Sequence, residues 1–283
     1  MNKVLLFGAT GHLGRKIAAE LKKQGYKLTA VVRNEGRKKV LTQITDQFIV
    51  ADVTNPKEIA GISTGFDIII SALGKSVSPN DRSKASFREV DLEANTAILA
   101  DALKNNVRKF VYVSAFSAEK YLNLEYFKVH HEFSEKLKSS GIGYTIIKPP
   151  ALFSAFIDLI DMAMKGRLVT IGKGDKLTNP IDEADLAKIF VEGIQQENAI
   201  IEAGGKTVYS RRQINEIIQQ AIKPEKKVRT IPIGIIRIFL PVIRVVNKNM
   251  FDKIAFFIAV MQHDTVAPKL GDTSLEQYLE KYK

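Results

Sequence analysis

The 283-residue chain contains no cysteine, which excludes disulfides, thiolate metal sites and cysteine nucleophiles and allows a reducing compartment. Histidine is scarce. Its four residues, at 12, 130, 131 and 263, are too few and too scattered for an evident zinc site, so no metal is expected. Of the adjacent pair His130 and His131, at most one can face a given pocket, since helical neighbours point to different sides. No charged leader followed by a long apolar run opens the chain. Lys3 leads directly into a five-residue apolar strand, and the expectation is a cytoplasmic protein. Acidic residues number 31 against 42 basic ones, a formal net charge of +11. The lysines are dispersed, as at 22–23, 38–39 and 226–227, without a recognition motif. General solubility accounts for them, and no specific nucleic-acid partner is expected.

What is present is a 45% apolar composition, enough for a large core, and one informative segment, Val4-Leu5-Leu6-Phe7-Gly8-Ala9-Thr10-Gly11-His12-Leu13-Gly14. A short apolar strand runs into a tight glycine turn and then a helix beginning at Arg15-Lys16-Ile17. One glycine permits the turn, one lets backbone approach a pyrophosphate, and one lets helix sit close on strand. A second apolar run at 27–32 completes a βαβ length. Gly8, Thr10, Gly11, His12, Leu13 and Gly14 are therefore the candidate nucleotide loop, with helix amides aimed at phosphate. A merely structural glycine turn is the alternative. His12 either contacts the pyrophosphate or occupies the solvent side of the turn.

Short continuous apolar runs recur at 3–7, 27–32, 48–50, 66–71, 110–114 and 143–147, with helical stretches between, including 86–105 and about 119–139. That pattern suits strands covered on both faces. The fold expected is α/β, a doubly wound parallel sheet over 1–150. After Lys148-Pro149-Pro150 a smaller, mostly helical lobe, 151–283, would form the substrate pocket and lid. Its stretch 231–246 is apolar except for Arg237 and Arg244, which lie seven apart and so on one helical face, and a second apolar run covers 254–261. Packing within the lobe or walling an apolar pocket is the first reading of 231–261. Subunit contact and peripheral membrane contact are the alternatives, since no uninterrupted segment is long enough to span a bilayer.

An NAD-specific site would place a carboxylate at the end of the second strand. This chain has Val32-Arg33-Asn34, and a guanidinium there suits a 2′-phosphate, with Arg15 as a second cation; NADP(H) is preferred and NAD(H) is the lesser option. Asp52 and Val53 end the third strand, where they could meet adenine. Ser71, Ala72, Leu73 and Gly74 end the fourth and leave room for the ribose and nicotinamide half. Ordinary loop residues are the alternative for both sets.

These blocks, with Tyr112-Val113-Ser114-Ala115, the spacing of Lys128 to Glu132, Gly141-Ile142-Gly143-Tyr144-Thr145-Ile146-Ile147-Lys148-Pro149 and Asn179-Pro180-Ile181-Asp182-Glu183-Ala184-Asp185, resemble the short-chain dehydrogenase/reductase superfamily. The likeness is to its atypical NAD(P)-binding branch, with the NmrA-like and isoflavone-reductase-like proteins, and covers roughly residues 1–190. It implies a serine at the fifth strand, here Ser114, and a tyrosine four residues before a lysine, here Lys128. Four residues before Lys128 stands Leu124, which cannot donate a proton. Tyr121, seven residues before Lys128, is a candidate substitute, and Tyr126, two before it, should point elsewhere. The resemblance gives Lys128 both proton handling and the nicotinamide ribose, and adds Lys148 and Pro149 to the cofactor set. Asp182 and Asp185 read first as helix caps.

Two functions follow from the resemblance. One is an NADP(H)-dependent oxidoreductase for a small, largely apolar carbonyl, enone or quinone. The other is a non-catalytic NADP(H)-binding sensor or assembly factor, favoured by Leu124. A nucleotide-sugar epimerase or dehydratase is weaker, because that chemistry also leans on the tyrosine and lysine.

Overall fold

The computed structural model describes residues 2–45 and 47–282. The chain begins β1 (Lys3–Phe7), α1 (His12–Lys23), β2 (Lys27–Val32), β3 (Phe48–Val50), α2 (Pro56–Ile59) and β4 (Ile68–Ser71). A π-helical segment, Arg88–Ala94, then runs into α3 (Asn95–Lys104), followed by β5 (Lys109–Val113), α4 (Glu125–Lys138) and β6 (Gly143–Lys148). Next come α5 (Ile157–Met164), β7 (Val169–Ile171), β8 (Leu177–Thr178), α6 (Glu183–Glu192) and β9 (Ala199–Glu202). The chain continues through β10 (Tyr209–Ser210), α7 (Arg211–Ile222), β11 (Arg229–Ile231), α8 (Ile233–Val246), α9 (Lys248–Val260) and α10 (Leu275–Leu279).

One compact unit comprises 1–75, 85–148 and 183–201. Its seven-stranded sheet has the order β3-β2-β1-β4-β5-β6-β9, and the pairings from β3 through β6 are parallel. This is the doubly wound arrangement expected, with its switch point between β1 and β4. Val4, Leu5, Leu6 and Phe7 are fully buried, as a central strand covered by helices requires. α1 inserts Leu13, Ile17, Ala18 and Leu21 and packs against α6.

The second unit comprises 76–84, 149–182 and 202–283. Phe153, Phe156, Ile160, Tyr209, Ile214, Ile218, Leu275 and Tyr278 build its core. Ser210 and Gln213 form a reciprocal capping box at the start of α7. Its loop 76–84 is tied down by buried Lys253 of α9, whose Nζ donates to the carbonyls of Ser78 (2.8 Å) and Asp81 (3.2 Å).

Three expectations are adjusted. The single cut after residue 150 becomes five crossings of the chain, because 76–84 leaves the first unit and 183–201 returns to it. The helix expected from about 119 starts at Glu125; Ala118–Lys120 is only a 3₁₀ turn, and Ser117 before it has a left-handed φ of 55° that breaks helical continuity. The helix expected over 86–105 begins in the wider π register.

Candidate active site

The β1–α1 turn is closed by contacts that only glycine permits. Gly8 has φ +72°, and a Cβ there would meet the Ala72 carbonyl oxygen at 2.4 Å. A Cβ on Gly14 would lie 2.1 Å from the Gly8 carbonyl oxygen. Gly11 is the helix N-cap; its amide donates to Gly8 O (3.0 Å), and no side chain caps α1. The first turn of α1 has no acidic residue, so the positive end of the helix dipole stays open to an anion. Thr10 is half-buried, Leu13 buried and His12 exposed, with Nη2 of half-buried Arg15 at 3.4 Å from His12 Nδ1. A backbone cradle that a Cβ would fill, at an uncapped helix end, fits a dinucleotide pyrophosphate.

In the parallel register Phe7 pairs with Ser71, which sets the end of β4 beside this turn. Ser71 is buried and its hydroxyl donates to Asn95 Oδ1 (2.6 Å), while Ala72, Leu73 and Gly74 emerge toward solvent. Exposed Arg33 follows β2, and half-buried Asp52 and buried Val53 follow β3. The Thr54 hydroxyl and amide donate to Asp52 Oδ1 at 2.7 and 3.0 Å. These bonds, helped by the charge of Arg33, hold the Asp52 carboxyl below its usual range. Glu35, the other acid near the end of β2, pairs with Lys38 at 2.7 Å.

Helix α4 decides the rest. Lys128 lies on its exposed side, 3.9 Å from Glu132, while Arg88 holds Glu125 (2.8 Å) and Glu132 (3.2 Å). Tyr121 precedes the helix and packs on Phe127 at 5.2 Å, so the two-turn alignment with Lys128 is absent. The inward side carries half-buried Tyr126 and buried His130 and Ser134 at intervals of four, one above another. Ser134 Oγ is 3.1 Å from Ser114 Oγ and donates to the His130 carbonyl (2.7 Å). The Tyr126 ring stands edge-on to His130 at 4.7 Å. The structure thus brings Ser114 to Ser134 at one end of this row and Tyr126 to His130 further along it, and leaves Lys128 and Tyr121 outside the row. Half-buried Lys148 pairs with Glu119 at 3.2 Å, and Pro149 follows it, buried. Asp185, in the first turn of α6, is buried and pairs with Lys188 (3.1 Å); Asp182 directly precedes that turn.

A buried polar chain lies behind this face. The Tyr112 hydroxyl shares a 2.7 Å hydrogen bond with His130 Nδ1, and His130 Nε2 lies 3.5 Å from Asp91 Oδ1. Asp91 also accepts from the Lys75 amide, and Asn95 Nδ2 donates to the Asp91 carbonyl (3.0 Å) while its Oδ1 holds Ser71. The π register places Asp91 and Asn95 inward together, a common device at functional sites. Burial pushes the His130 imidazole down to about 3 and raises Asp91 well above the carboxylate range. It also raises Tyr112 and Tyr126. Sequence reasoning missed His130, Asp91 and Asn95. The signal for the first was present: Tyr126 stands four residues before His130, the spacing sought before a lysine.

A family model described as NAD(P)H-binding matches residues 8–197. The chain is 25% identical over 301 residues to the photosystem II assembly factor Ycf39 of Cyanophora paradoxa, covering 99% of this chain and 91% of that protein. It is 27% identical over 307 residues to the chloroplastic divinyl chlorophyllide a 8-vinyl-reductase of Arabidopsis thaliana, covering 97% and 72%. The triphenylmethane reductase of Citrobacter sp., complexed with NADP(H), superposes with a TM-score of 0.74 at 16% identity over 100% of both chains. An NADPH-dependent quinone oxidoreductase of Escherichia coli complexed with NADPH gives 0.71 at 17% identity, covering 98% and 99%. At such identities the likeness to solved structures is one of fold.

Proposed function

The chain belongs to the NAD(P)H-binding family, and from that premise we propose that it is an NADP(H)-dependent reductase of the atypical short-chain type, acting on a small, largely apolar carbonyl, enone or quinone. The observation that carries this reading is the stacked face of Tyr126, His130 and Ser134 on α4, with Ser114 against it. NADPH, when bound, supplies the hydride. The chain then has to offer a proton or a hydrogen bond to the oxygen on which negative charge develops. Tyr126, kept protonated by burial, is the donor this reading assigns, and Ser114, against Ser134 about two turns further along α4, lines the same side of the helix. His130 is a neutral positioning residue fixed by Tyr112 and Asp91. Lys128, on the opposite side of α4, has no part in proton transfer.

Preference for the phosphorylated cofactor is supported by Arg33, exposed at the end of β2, and by the pairing of Glu35 with Lys38, which neutralises the nearby carboxylate. The experiment is titration with NADPH, NADP⁺, NADH and NAD⁺, followed by a panel of quinones, enones and aldehydes. Acceptor-dependent loss of NADPH absorbance is expected. Arg33→Ala should weaken NADPH about ten- to a hundredfold and leave NADH unchanged, the loss of one charge-assisted contact. An equal effect on both cofactors would sink the assignment.

Leu124 and the absence of a lysine on the buried face of α4 favour a second reading, a non-catalytic NADP(H)-responsive protein that acts through a partner. A relative of the chain carries the name of an assembly factor, which agrees with it. Tight NADPH binding without turnover on any acceptor would move the conclusion there.

A further inference from the structure

Helix α8 leaves a continuous apolar surface uncovered. Ile235, Ile238, Phe239, Val242, Val245 and Val246 are 50%, 73%, 58%, 63%, 88% and 79% exposed. At 3.6 residues per turn they fall within one arc of about 120°. The half-buried side of α8 is Ile233, Ile236, Leu240 and Ile243, and α8 packs against α9. Packing within the lobe therefore accounts for one side of the helix and leaves the other without an occupant. Arg237 and Arg244 lie opposite the exposed arc, engaged by Gln262 (3.0 Å) and stacked on Phe251 (5.6 Å).

Charge identifies what covers this face. Between Glu225 and Asp252 the chain has Lys226, Lys227, Arg229, Arg237, Arg244 and Lys248 and no acidic residue, and of these Lys248 pairs with Asp252 (2.8 Å). A symmetric pair of copies meeting on α8 would bring Arg237 and Arg244 of both together with no carboxylate on the helix itself. The 14-residue helix is about 21 Å long, less than a hydrocarbon core of about 30 Å, so it does not span. We propose that α8 is an interfacial anchor that lays its exposed apolar face into a membrane surface bearing anionic lipid. Its arginines remain on the headgroup side, and the flanking cations supply the attraction.

The test is flotation of the full chain with vesicles of phosphatidylcholine and phosphatidylglycerol in equal parts, and with phosphatidylcholine alone. The wild type should float with the mixed vesicles, about tenfold less with the neutral ones, and less at high salt. Ile238→Glu combined with Val245→Glu should lower flotation at least about tenfold while thermal stability and NADPH binding stay unchanged, because both side chains are in solvent. Val245→Glu alone should give a smaller loss in the same direction. A wild type that does not float, or that floats equally with neutral vesicles, overturns the proposal. So does a dimer in sedimentation equilibrium that the double variant dissolves.

Discussion

Tyr126 and His130 owe their chemistry to burial more than to neighbouring charge. In the family's usual arrangement a lysine lowers the tyrosine pKa; here the residue four positions on is a neutral imidazole and the tyrosine is shifted upward. On the proposed reading Tyr126 is therefore a reluctant acid, protonated at rest, that donates to a developing alkoxide. Tyr126→Phe should lower kcat/KM on an accepted substrate by about 10²- to 10⁴-fold with NADPH affinity unchanged. Loss of both together would make the ring a packing element instead. The Asp91 and His130 pair gives a second prediction, through stability. Above the ordinary carboxylate value of 3.8, unfolded Asp91 has lost the proton that the folded carboxyl, with its raised value, still holds, and this offsets the proton that unfolded His130 takes up below 6.5, so the pair adds little slope while both apply. The contribution of Asp91 is lost as pH rises through its raised value. In Asp91→Asn only depressed His130 remains, whose stabilisation is present above 6.5 and is lost as pH falls toward about 3. Denaturation midpoints from pH 4 to 8 should show the variant losing up to about 1.4 kcal/mol per pH unit below 6.5 relative to the wild type. Parallel curves would refute this.

At the scale of elements, the strand ends and the glycine turn were legible because each rests on local chemistry. A continuous apolar run of four residues, Val4 to Phe7, a turn needing positive φ and a helix packed on its own strand leave few alternatives. Gly14→Ala should destabilise the chain by about 1–3 kcal/mol and abolish NADPH binding, since its Cβ would press on the Gly8 carbonyl from within the turn. Urea denaturation and cofactor titration check it; a variant as stable as the wild type would mean that the turn has room. Helix α4 was less legible. Placing its start at Glu125 instead of 119 removes Tyr121 from the helix, and its buried side is set by packing on β5, which no spacing rule reports. The π register before α3 was invisible for the same reason: it is stabilised by the inward bonds of Asn95 to Ser71 and to the Val90 and Asp91 carbonyls.

At the scale of the whole molecule, the chain is not two successive domains. A fragment of residues 1–150 lacks α6, which covers α1, and β9, which lies beside β6 in the sheet. It should aggregate on expression, with an apolar helix face and a strand edge uncovered. A soluble fragment binding NADPH as the full chain does would show that 183–201 is dispensable to the fold. The sequence by itself determined the doubly wound sheet, the glycine cradle and the absence of thiol chemistry, because those depend on residues adjacent in the chain and on composition. Only the tertiary structure decided that Ser134 meets Ser114 while Lys128 stays on the exposed side of α4, that His130 joins Tyr112 and Asp91, and that α8 is left bare on one side. Those outcomes depend on which face of a helix meets a distant strand, and burial is a property of the assembled chain.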